Sequence, residues 1–299
     1  MTQQPSRYAY LLPLAFAGIW GMTFVWSKSI LEVYSPITMI FIRFTLATVF
    51  LFAFVKLAKK LQKFERKDWR LMIFAAFCEP FMYFIGESYG ILYSSASFAA
   101  VMIALIPLIT PLAVWIVFGT RSSWMVVLGL LISFFGIFYM IFGNSFELTV
   151  DIKGVLFLSL AVISAVFYVL CIQELTKKYN NFTIVYYQTV LGALMFLPLF
   201  VTMGWQEFLT VPIDFSIYKN LVMLAIFGSG VAFICFVESI KQLGAVKTQM
   251  FGYLIPIVTA IGAYFILDEV FTSQKIIGIC VVVVGLFVSQ ITWKQQKLG

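Results

Sequence analysis

Apolar runs about as long as a membrane is thick alternate along this chain with short polar segments. A helix that spans a bilayer needs about 20 mostly apolar residues. The longest polar stretches between the runs are 58–69, 143–152 and 204–218. The pattern therefore predicts an all-α integral membrane protein with ten transmembrane helices. The predicted helices cover residues 9–27, 37–57, 70–90, 94–118, 124–142, 153–173, 182–203, 219–240, 246–267 and 275–293.

Composition argues against a soluble domain and against several kinds of enzyme. The 299 residues are 62% hydrophobic and 11% charged, whereas a soluble domain is about 45–50% apolar and about 25% charged. A water-soluble fold cannot bury so much apolar surface, so membrane lipid is the expected partner. The chain has no histidine, which removes Ser-His and Cys-His catalysis and most zinc sites. Its four cysteines lie inside apolar runs without metal-ligand spacing, so no metal, no other cofactor and no enzyme activity is predicted.

The distribution of basic residues predicts the orientation of the chain. The net charge is +7, but the Lys and Arg residues form short patches between apolar runs, which is typical of membrane topology and not of a nucleic-acid partner. If both termini are cytoplasmic, 15 of the 20 basic residues lie on the cytoplasmic side, four lie opposite, and Arg43 lies within a helix. The positive-inside rule then predicts the N-in/C-in orientation, as in a bacterial cytoplasmic membrane. Both a monomer and a dimer are compatible with the sequence.

The two halves of the chain repeat each other. The segment ITMIFIRFTLATVFLF at 37–52 matches FTIVYYQTVLGALMFL at 182–197, an offset of 145 positions. Further on, ALIPLITPL at 104–112 matches YLIPIVTAI at 253–261, an offset of 149. The second offset also brings two pairs of glycines into register, with Gly129 and Gly136 matching Gly278 and Gly285.

The number of helices in each half sets how the halves are related. Each half holds five predicted helices, an odd number, so the second half enters the membrane upside down relative to the first. We therefore predict two inverted five-helix repeats, over residues 1–145 and 146–299. Inverted repeats of this kind serve alternating access around a site near the bilayer midplane.

Two glutamates of the third predicted helix are candidates for that site. Glu79 and Glu87 lie well inside an apolar run, where a charged group costs roughly 2.5–3.5 kcal/mol, so both must face a cavity or a partner. On a regular helix they would lie about 12 Å apart along the axis and about 80° apart around it, with Tyr83 between them. Pro80 removes a backbone hydrogen bond and predicts a kink there. The carboxylates are interpreted either as a stripe that handles cations or protons, or as structural groups bound to Arg43 or to backbone donors.

Arg43 is the one basic residue predicted inside a span. Its charge is effectively permanent, so it needs an anion or water. We expect an ion pair with Glu87, and Glu79 is also within reach by depth; direct binding of substrate is the alternative. The repeat mate of Arg43 is the uncharged Gln188, which makes the two halves chemically unequal. Gln188 is a candidate for the substrate or proton pathway as well.

A few further side chains are candidates for the pathway or for its inner gate. Trp20, Tyr83, Tyr168 and Tyr253 lie near the middle of their helices and carry polar groups that need partners when buried. Aromatic faces also suit a cation held in an acidic cavity, although packing between helices explains each ring equally well. Glu238, near the inner end of the eighth helix, is interpreted as half of an interfacial pair with Lys241, or else as part of an inner gate.

Six motifs occur in order along nearly the whole chain. They are Trp20-Gly21, "PITMIFIR" (36–43), "SSASFAAVMIALIP" (94–107), "GAVKTQMFGYLIP" (244–256), "LDEVF" (267–271) and "IIGICVVVVGLF" (276–287). Together they resemble the ten-helix EamA type of the drug/metabolite transporter superfamily. The resemblance implies the ten-helix fold and export or exchange of metabolites, amino acids or drugs without ATP. Two departures stand out: Thr120 replaces the glutamate that often follows the fourth helix of the first half, where Glu269 is present in the second, and "CEPFMYFIGESYG" is more acidic than usual.

The leading hypothesis is a secondary transporter of small metabolites, amino acids or cationic, drug-like solutes. It explains the repeats, the buried carboxylates and the absence from the sequence of the nucleotide motif GxxxxGK[ST]. Proton coupling is a hypothesis, because carboxylic acids in apolar surroundings can exchange protons near neutral pH; an uncoupled uniporter is the alternative. An intramembrane enzyme, for which only the Glu79/Glu87 pair qualifies, and a channel or sensor belong to other classes, and neither accounts for inverted halves.

Overall fold

Helices make up the secondary structure of every region that the structure describes. The structure is a computed structural model, and it describes residues 10–119, 124–142, 150–212 and 214–290. Within them the chain forms helices, turns and loops without a strand, which confirms the predicted all-α class. The ten helices are α1 (Leu11–Leu31), α2 (Pro36–Leu57), α3 (Arg66–Leu92), α4 (Ala96–Val117), α5 (Trp124–Phe142), α6 (Ile152–Leu175), α7 (Asn181–Thr210), α8 (Phe215–Leu243), α9 (Ala245–Ile266) and α10 (Ser273–Gln290).

Length and hydropathy agree with an integral membrane protein. In the described residues, eight helices are long and apolar enough to cross a membrane, by length and composition. The other two, α5 and α10, contain the shorter apolar stretches Val127–Gly136 and Ser273–Gly285. The count of ten spans stays a prediction. The N-in/C-in orientation also stays a prediction, since four of the charges that set the orientation lie outside the described residues. These are Arg7, Arg121, Lys294 and Lys297.

The seventh helix is longer than the sequence pattern predicts. The predicted helix ends at residue 203, whereas α7 continues to Thr210 through a π-helical stretch, Phe200–Gly204. Polar residues between 204 and 210 end the apolar run in the sequence, but the helix continues through them. This last stretch also has apolar residues, Trp205, Phe208 and Leu209. Part of the predicted 204–218 loop is therefore helical, and Glu207 lies on a helix.

Helices at matching positions of the two halves pack antiparallel. The start of α2 contacts the end of α7, with Ser35 bound to Glu207, and the segment after α2 contacts the start of α7, with Gln62 bound to Asn180. Antiparallel packing of matching helices is what an inverted repeat requires. The division of the chain at residue 145 is not tested by this packing and stays a prediction.

The matched glycines form a reciprocal crossing between α5 and α10. A Cβ atom on Gly136 would lie 2.9 Å from the carbonyl oxygen of Gly278, and one on Gly285 would lie 2.6 Å from that of Gly129. Gly136 thus contacts Gly278, the mate of Gly129, and Gly285 contacts Gly129, the mate of Gly278. Between these contacts the Ser133 hydroxyl donates to the carbonyl oxygen of Val282, 149 positions later, at 3.2 Å. Only residues without a side chain allow backbones to approach this closely.

Four helices near the centre are interrupted, in corresponding positions of the two halves. α3 contains a π-helical stretch, Phe77–Met82, and α8 contains one over Leu224–Val231. In α4 a short turn precedes Ile106-Pro107, and in α9 the 3₁₀ stretch Met250–Leu254 precedes Ile255-Pro256. Interrupted spans occur where backbone groups line a cavity, and the cavity described next lies among these four helices.

Candidate functional site

A cavity lies at the centre of the bundle, among α1, α2, α3, α4, α6, α8 and α9. Its volume of about 40 Å³ has room for roughly three water molecules, so in this conformation it is small. Five of the predicted site residues line it. The lining residues are Phe16, Trp20, Thr23, Phe24, Arg43, Glu79, Tyr83, Phe84, Glu87, Ile103, Ile106, Pro107, Ala165, Val169, Phe233, Phe236, Gln249, Gly252 and Ile255.

Glu79 is positioned by the break in α3. It is the central residue of the 27-residue helix, and its backbone is extended (φ −145°, ψ 115°) inside the π-helical stretch. Pro80 cannot donate the hydrogen bond that a helix needs here. The helical-wheel estimate of about 12 Å and about 80° between the two glutamates assumed a regular helix. The helix is not regular at Glu79, so the estimate does not apply.

The carboxylate of Glu79 is buried and has no protein partner. Only 5% of Glu79 is exposed, and it lines the cavity. Among the described residues no group donates a hydrogen bond to it and no basic side chain lies within ion-pair distance of it. A buried carboxylate without a donor is costly, so these two oxygens are unsatisfied acceptors in the cavity.

Glu87, by contrast, is held by two neighbours. The Tyr83 hydroxyl donates to Glu87 Oε1 at 3.0 Å, and Arg43 Nη1 lies 3.8 Å from Glu87 Oε2. The expected Arg43–Glu87 ion pair is thus present in the structure. Glu87 is thus bound to Tyr83 and Arg43, whereas Glu79 has no such contact among the described residues. The roles of the two glutamates stay predictions.

Arg43 contacts Ser229, Phe84 and Glu87, and one of its terminal nitrogens lacks a hydrogen bond within the described residues. It is 1% exposed, its Nε donates to the Ser229 hydroxyl at 2.6 Å, and its guanidinium carbon lies 4.2 Å from the centre of the Phe84 ring. Such stacking on an aromatic face is favourable for a cation. In the described part of the chain, however, Arg43 Nη1 has no hydrogen-bond acceptor. The two N–H groups of this buried nitrogen are therefore unsatisfied by that part of the chain, although the nitrogen lies 3.8 Å from Glu87 Oε2.

Aromatic side chains from α1 and α8 form one wall of the cavity. The ring of Trp20 lies 5.1 Å from that of Phe233 and 4.9 Å from that of Phe236, and Phe16 lies 5.1 Å from Phe236 in an edge-to-face arrangement. The indole Nε1 of Trp20 donates to the carbonyl oxygen of Gly228 at 3.2 Å. The Trp20 indole thereby keeps its ring toward the cavity while its polar group is satisfied.

The π-helical stretch of α8 supplies two contacts that sequence reasoning missed. Ser229 accepts from Arg43, and Gly228 accepts from Trp20 while leaving room for Arg43, since a Cβ on Gly228 would lie 3.2 Å from Arg43 Nη2. Sequence reasoning also missed Gln249, a polar residue in the lining. Its signal was an uncharged polar side chain at the start of the predicted ninth helix, directly after Lys247 and Thr248.

Two other candidates bind each other outside the lining. The Tyr168 hydroxyl donates to Gln188 Oε1 at 2.6 Å, and both side chains are buried. The Tyr168 ring is parallel to that of Phe236, 6.4 Å away, so this pair lies behind the aromatic wall. The assignment of Tyr168 and Gln188 to the pathway stays a prediction.

Tyr253 and Glu238 also lie outside the lining. Tyr253 is buried in the 3₁₀ stretch beside the lining residue Gly252. Glu238 accepts a hydrogen bond from Gln242 at 2.6 Å and forms no ion pair with Lys241 within the described residues, so the expected interfacial pair is wrong. Four residues separate Glu238 from Gln242, one helical turn, which places the amide directly over the carboxylate. A role in an inner gate is untested.

The glutamate that follows the ninth helix is bound to its neighbours. Glu269 forms an ion pair of 2.9 Å with Lys275, and its other oxygen lies 3.4 Å from the backbone nitrogen of Ser97 in the first turn of α4. A carboxylate at this end of α4 is favoured by the helix dipole. Thr120, at the corresponding position of the first half, lies outside the described residues.

Comparison with known proteins places the chain in a transporter family. The model described as "EamA-like transporter family" matches residues 7–142 and again residues 152–290. The chain therefore belongs to the EamA-like transporter family, which confirms the resemblance drawn from its motifs. It is a multi-pass membrane transporter, so its substrate is a small molecule and its outer helix faces contact lipid.

Similar proteins occur in bacteria and archaea. The chain is 23% identical over 308 residues to the uncharacterized transporter YcxC of Bacillus subtilis (strain 168), across 99% of this chain and 97% of that one. It is 24% identical over 270 residues to an uncharacterized transporter of Archaeoglobus fulgidus, across 90% and 94%. A solved structure described as "Crystal structure of protein" superposes with a TM-score of 0.72 at 14% identity, covering 97% of this chain and 98% of that one. The last likeness concerns the fold alone.

Proposed function

We propose that this protein is a secondary transporter that binds a small solute with an amino group in the central cavity and exchanges it for protons. One observation carries the proposal: the buried carboxylate of Glu79 faces the cavity without a partner among the described residues. An amine, a proton or a cation in its place would satisfy the two oxygens. The proposed exporter or exchanger acts in a cell membrane.

The charges of the cavity favour a positively charged or zwitterionic solute. With all three groups ionised, Glu79, Glu87 and Arg43 sum to one negative charge. An ammonium group at Glu79 would balance it, and the rings of Trp20 and Phe233 would add cation–π attraction or hold an apolar side chain. A solute that also has a carboxylate would have Arg43, a lining residue, as its cationic partner. Amino acids and related amines therefore match the site better than anions do.

Competition at one carboxylate would couple the solute to protons. Glu79 can hold a proton or an ammonium group but not both, so loading one releases the other. Because the chain has no nucleotide motif, a proton gradient is the energy source that this site suggests. An uncoupled uniporter would bind solute in the same cavity without the exchange.

Alternating access supplies the movement. A cavity of about 40 Å³ is too small for an amino acid, so solute must enter when helices separate on one side of the membrane. The antiparallel packing of α2 with α7 and of α5 with α10 supports two inverted repeats, residues 1–145 and 146–299, that exchange conformations. The interruptions in α3, α4, α8 and α9 provide the places at which the helices bend.

The test is solute flux in proteoliposomes with and without an imposed pH gradient. The solutes form a matched series: L-phenylalanine, phenethylamine and 3-phenylpropionate carry both charges, the amine alone and the carboxylate alone. We expect gradient-driven movement of the first two, its loss in Glu79→Gln, and no movement of the third. Glu65→Gln is the matched control, because that carboxylate is exposed and pairs with Lys67 away from the lining.

Two outcomes would change the conclusion. Flux of an amine that ignores both the gradient and Glu79→Gln would make the protein a uniporter and return Glu79 to a structural role. Preferred movement of the carboxylate would assign the site to Arg43. Thermal unfolding of Glu79→Gln in detergent checks that the variant is folded, and no loss of stability is expected since no hydrogen bond is removed.

A further inference from the structure

Two side chains at opposite ends of the α2–α7 pair make the same kind of contact. Gln62 and Glu207 are 145 positions apart, the offset that relates the second helices of the two halves. Each accepts a hydrogen bond from the backbone N–H of the residue that precedes the opposite half's second helix. We call these contacts the Glu207 clasp (Ser35, Thr38, Glu207) and the Gln62 clasp (Gln62, Asn180, Thr183).

The Glu207 clasp fixes the start of α2. The backbone N–H of Ser35 donates to Glu207 Oε1 at 2.7 Å, and the Ser35 hydroxyl donates to Oε2 at 2.6 Å. The Thr38 hydroxyl donates to the same Oε2. Ser35 makes no capping hydrogen bond to its own helix, so a carboxylate from α7 caps α2 from outside. A negative charge at a helix N-terminus is also favoured by the helix dipole.

The Gln62 clasp fixes the start of α7 in the corresponding way. Gln62 Oε1 accepts from the backbone N–H of Asn180 at 2.7 Å, and the backbone N–H of Gln62 donates to the Thr183 hydroxyl at 2.9 Å. Asn180 Nδ2 donates in addition to the carbonyl oxygen of Lys60 at 2.8 Å. Asn180 and Thr183 are the mates of Ser35 and Thr38 at the same offset of 145. All three positions of one clasp therefore recur in the other.

Aromatic contacts join the two helices between the clasps. The rings of Phe41 and Phe200 stack at 4.1 Å with an interplanar angle of 15°. Those of Phe44 and Phe196 are parallel at 6.3 Å. Since α2 has 22 residues, the clasps lie about 33 Å apart, close to the thickness of the hydrocarbon core. The helices are thus joined at both faces of the predicted membrane and along the span between them.

We infer that α2 and α7 move as one rigid pair throughout the transport cycle, an inference that rests on the proposed function. A gate has its contacts at one end and releases them when that side opens. Here both ends are fastened in a single conformation, and separating either end would also part the stacked rings of Phe41 and Phe200. The movement that opens the cavity therefore takes place between this pair and the helices around it.

Cross-linking tests the inference directly. In a background without the four native cysteines, one protein carries Ser35→Cys with Glu207→Cys and a second carries Asn180→Cys with Gln62→Cys. Each pair is joined by a short cleavable bifunctional reagent, and flux is measured before and after cleavage. We expect no loss of initial rate in either joined protein; the single-cysteine variants treated with the same reagent are the controls.

The outcomes separate this inference from the proposed function. Flux that is lost on joining and recovered on cleavage would make the clasp a gate and overturn the rigid pair. If the cleaved protein moves no solute, the proposed function fails. The rigid pairing of α2 with α7 is then tested separately, by distances between spin labels. Labels at Val33 and Leu209, and at Leu57 and Lys177, are compared in acidic and alkaline buffer. Unchanged distances support the rigid pair, and separation at either end refutes it.

Discussion

Replacing either glutamate of α3 by glutamine is the same chemical change, but we expect different effects on the free energy of unfolding. Glu87→Gln removes the charge that faces Arg43, at 3.8 Å, while the amide oxygen can still accept from Tyr83. Glu79→Gln removes a charge that has no partner in the described residues. We expect Glu87→Gln to lower the free energy of unfolding and Glu79→Gln to leave it unchanged or raise it.

The magnitude follows from the separation of the charges. Two unit charges 3.8 Å apart attract by about 4 kcal/mol at an effective dielectric constant of about 20. Removing one partner of a buried pair costs about 3–5 kcal/mol in measured cases. The hydrogen bond from Tyr83 is retained here and the cavity admits water, so we expect a loss of about 2–3 kcal/mol for Glu87→Gln. For Glu79→Gln the expected change is within about 1 kcal/mol of zero.

The assay is reversible unfolding in mixed detergent micelles with an increasing fraction of sodium dodecyl sulfate, followed by circular dichroism. Arg43→Met and the double variant with Glu87→Gln complete a double-mutant cycle, in which the pair should couple by about 2 kcal/mol. A Glu87→Gln protein as stable as Glu79→Gln would refute the reasoning. Additive losses in the double variant would do the same.

Further predictions concern packing and the support of Arg43. Gly285→Ala would place a Cβ 2.6 Å from the carbonyl oxygen of Gly129 and should cost about 2 kcal/mol or more, whereas Gly18→Ala, with no atom within 4 Å, should be neutral or stabilise by up to about 1 kcal/mol. The same unfolding assay compares the two, and equal stability would contradict the tight crossing. Ser229→Ala leaves Arg43 Nε without its acceptor and should cost about 1–3 kcal/mol, with weaker binding of L-phenylalanine by calorimetry; unchanged stability and affinity would remove Ser229 from the site.

Hydropathy and the cost of buried charge predicted most of what depends on depth in the membrane. The spans were predictable because apolar runs must match the bilayer, and the Arg43–Glu87 pair because both charges lie at depths where each needs a partner. Depth alone does not give the direction in which a side chain points. Tyr168 and Gln188 have the expected depth but bind each other behind the aromatic wall, outside the lining.

Local irregularities were the features that the sequence did not predict. The extended backbone of Glu79 and the π-helical stretch that presents Ser229 depend on how neighbouring helices pack, and Pro80 was the one local signal of either. Phe16 and Phe236 could not be selected from 33 phenylalanines, because no spacing distinguishes a ring that faces a cavity from one that faces lipid. Glu207 was hidden for another reason: the predicted end of the seventh helix placed it in a loop.

The unequal mates of the two halves have a thermodynamic consequence. Under the inverted pairing that we propose, identical halves would give the conformation open to one side the same free energy as the conformation open to the other. Arg43 has Gln188 as its mate, and Glu207 has Gln62, so the two conformations place different charges in equivalent surroundings. Where a mismatched residue has a different interaction energy in the two conformations, it shifts the ratio of their populations. The shift is tenfold for about every 1.4 kcal/mol of that difference. The side to which the empty protein prefers to open is therefore decided at the positions where the repeat is imperfect.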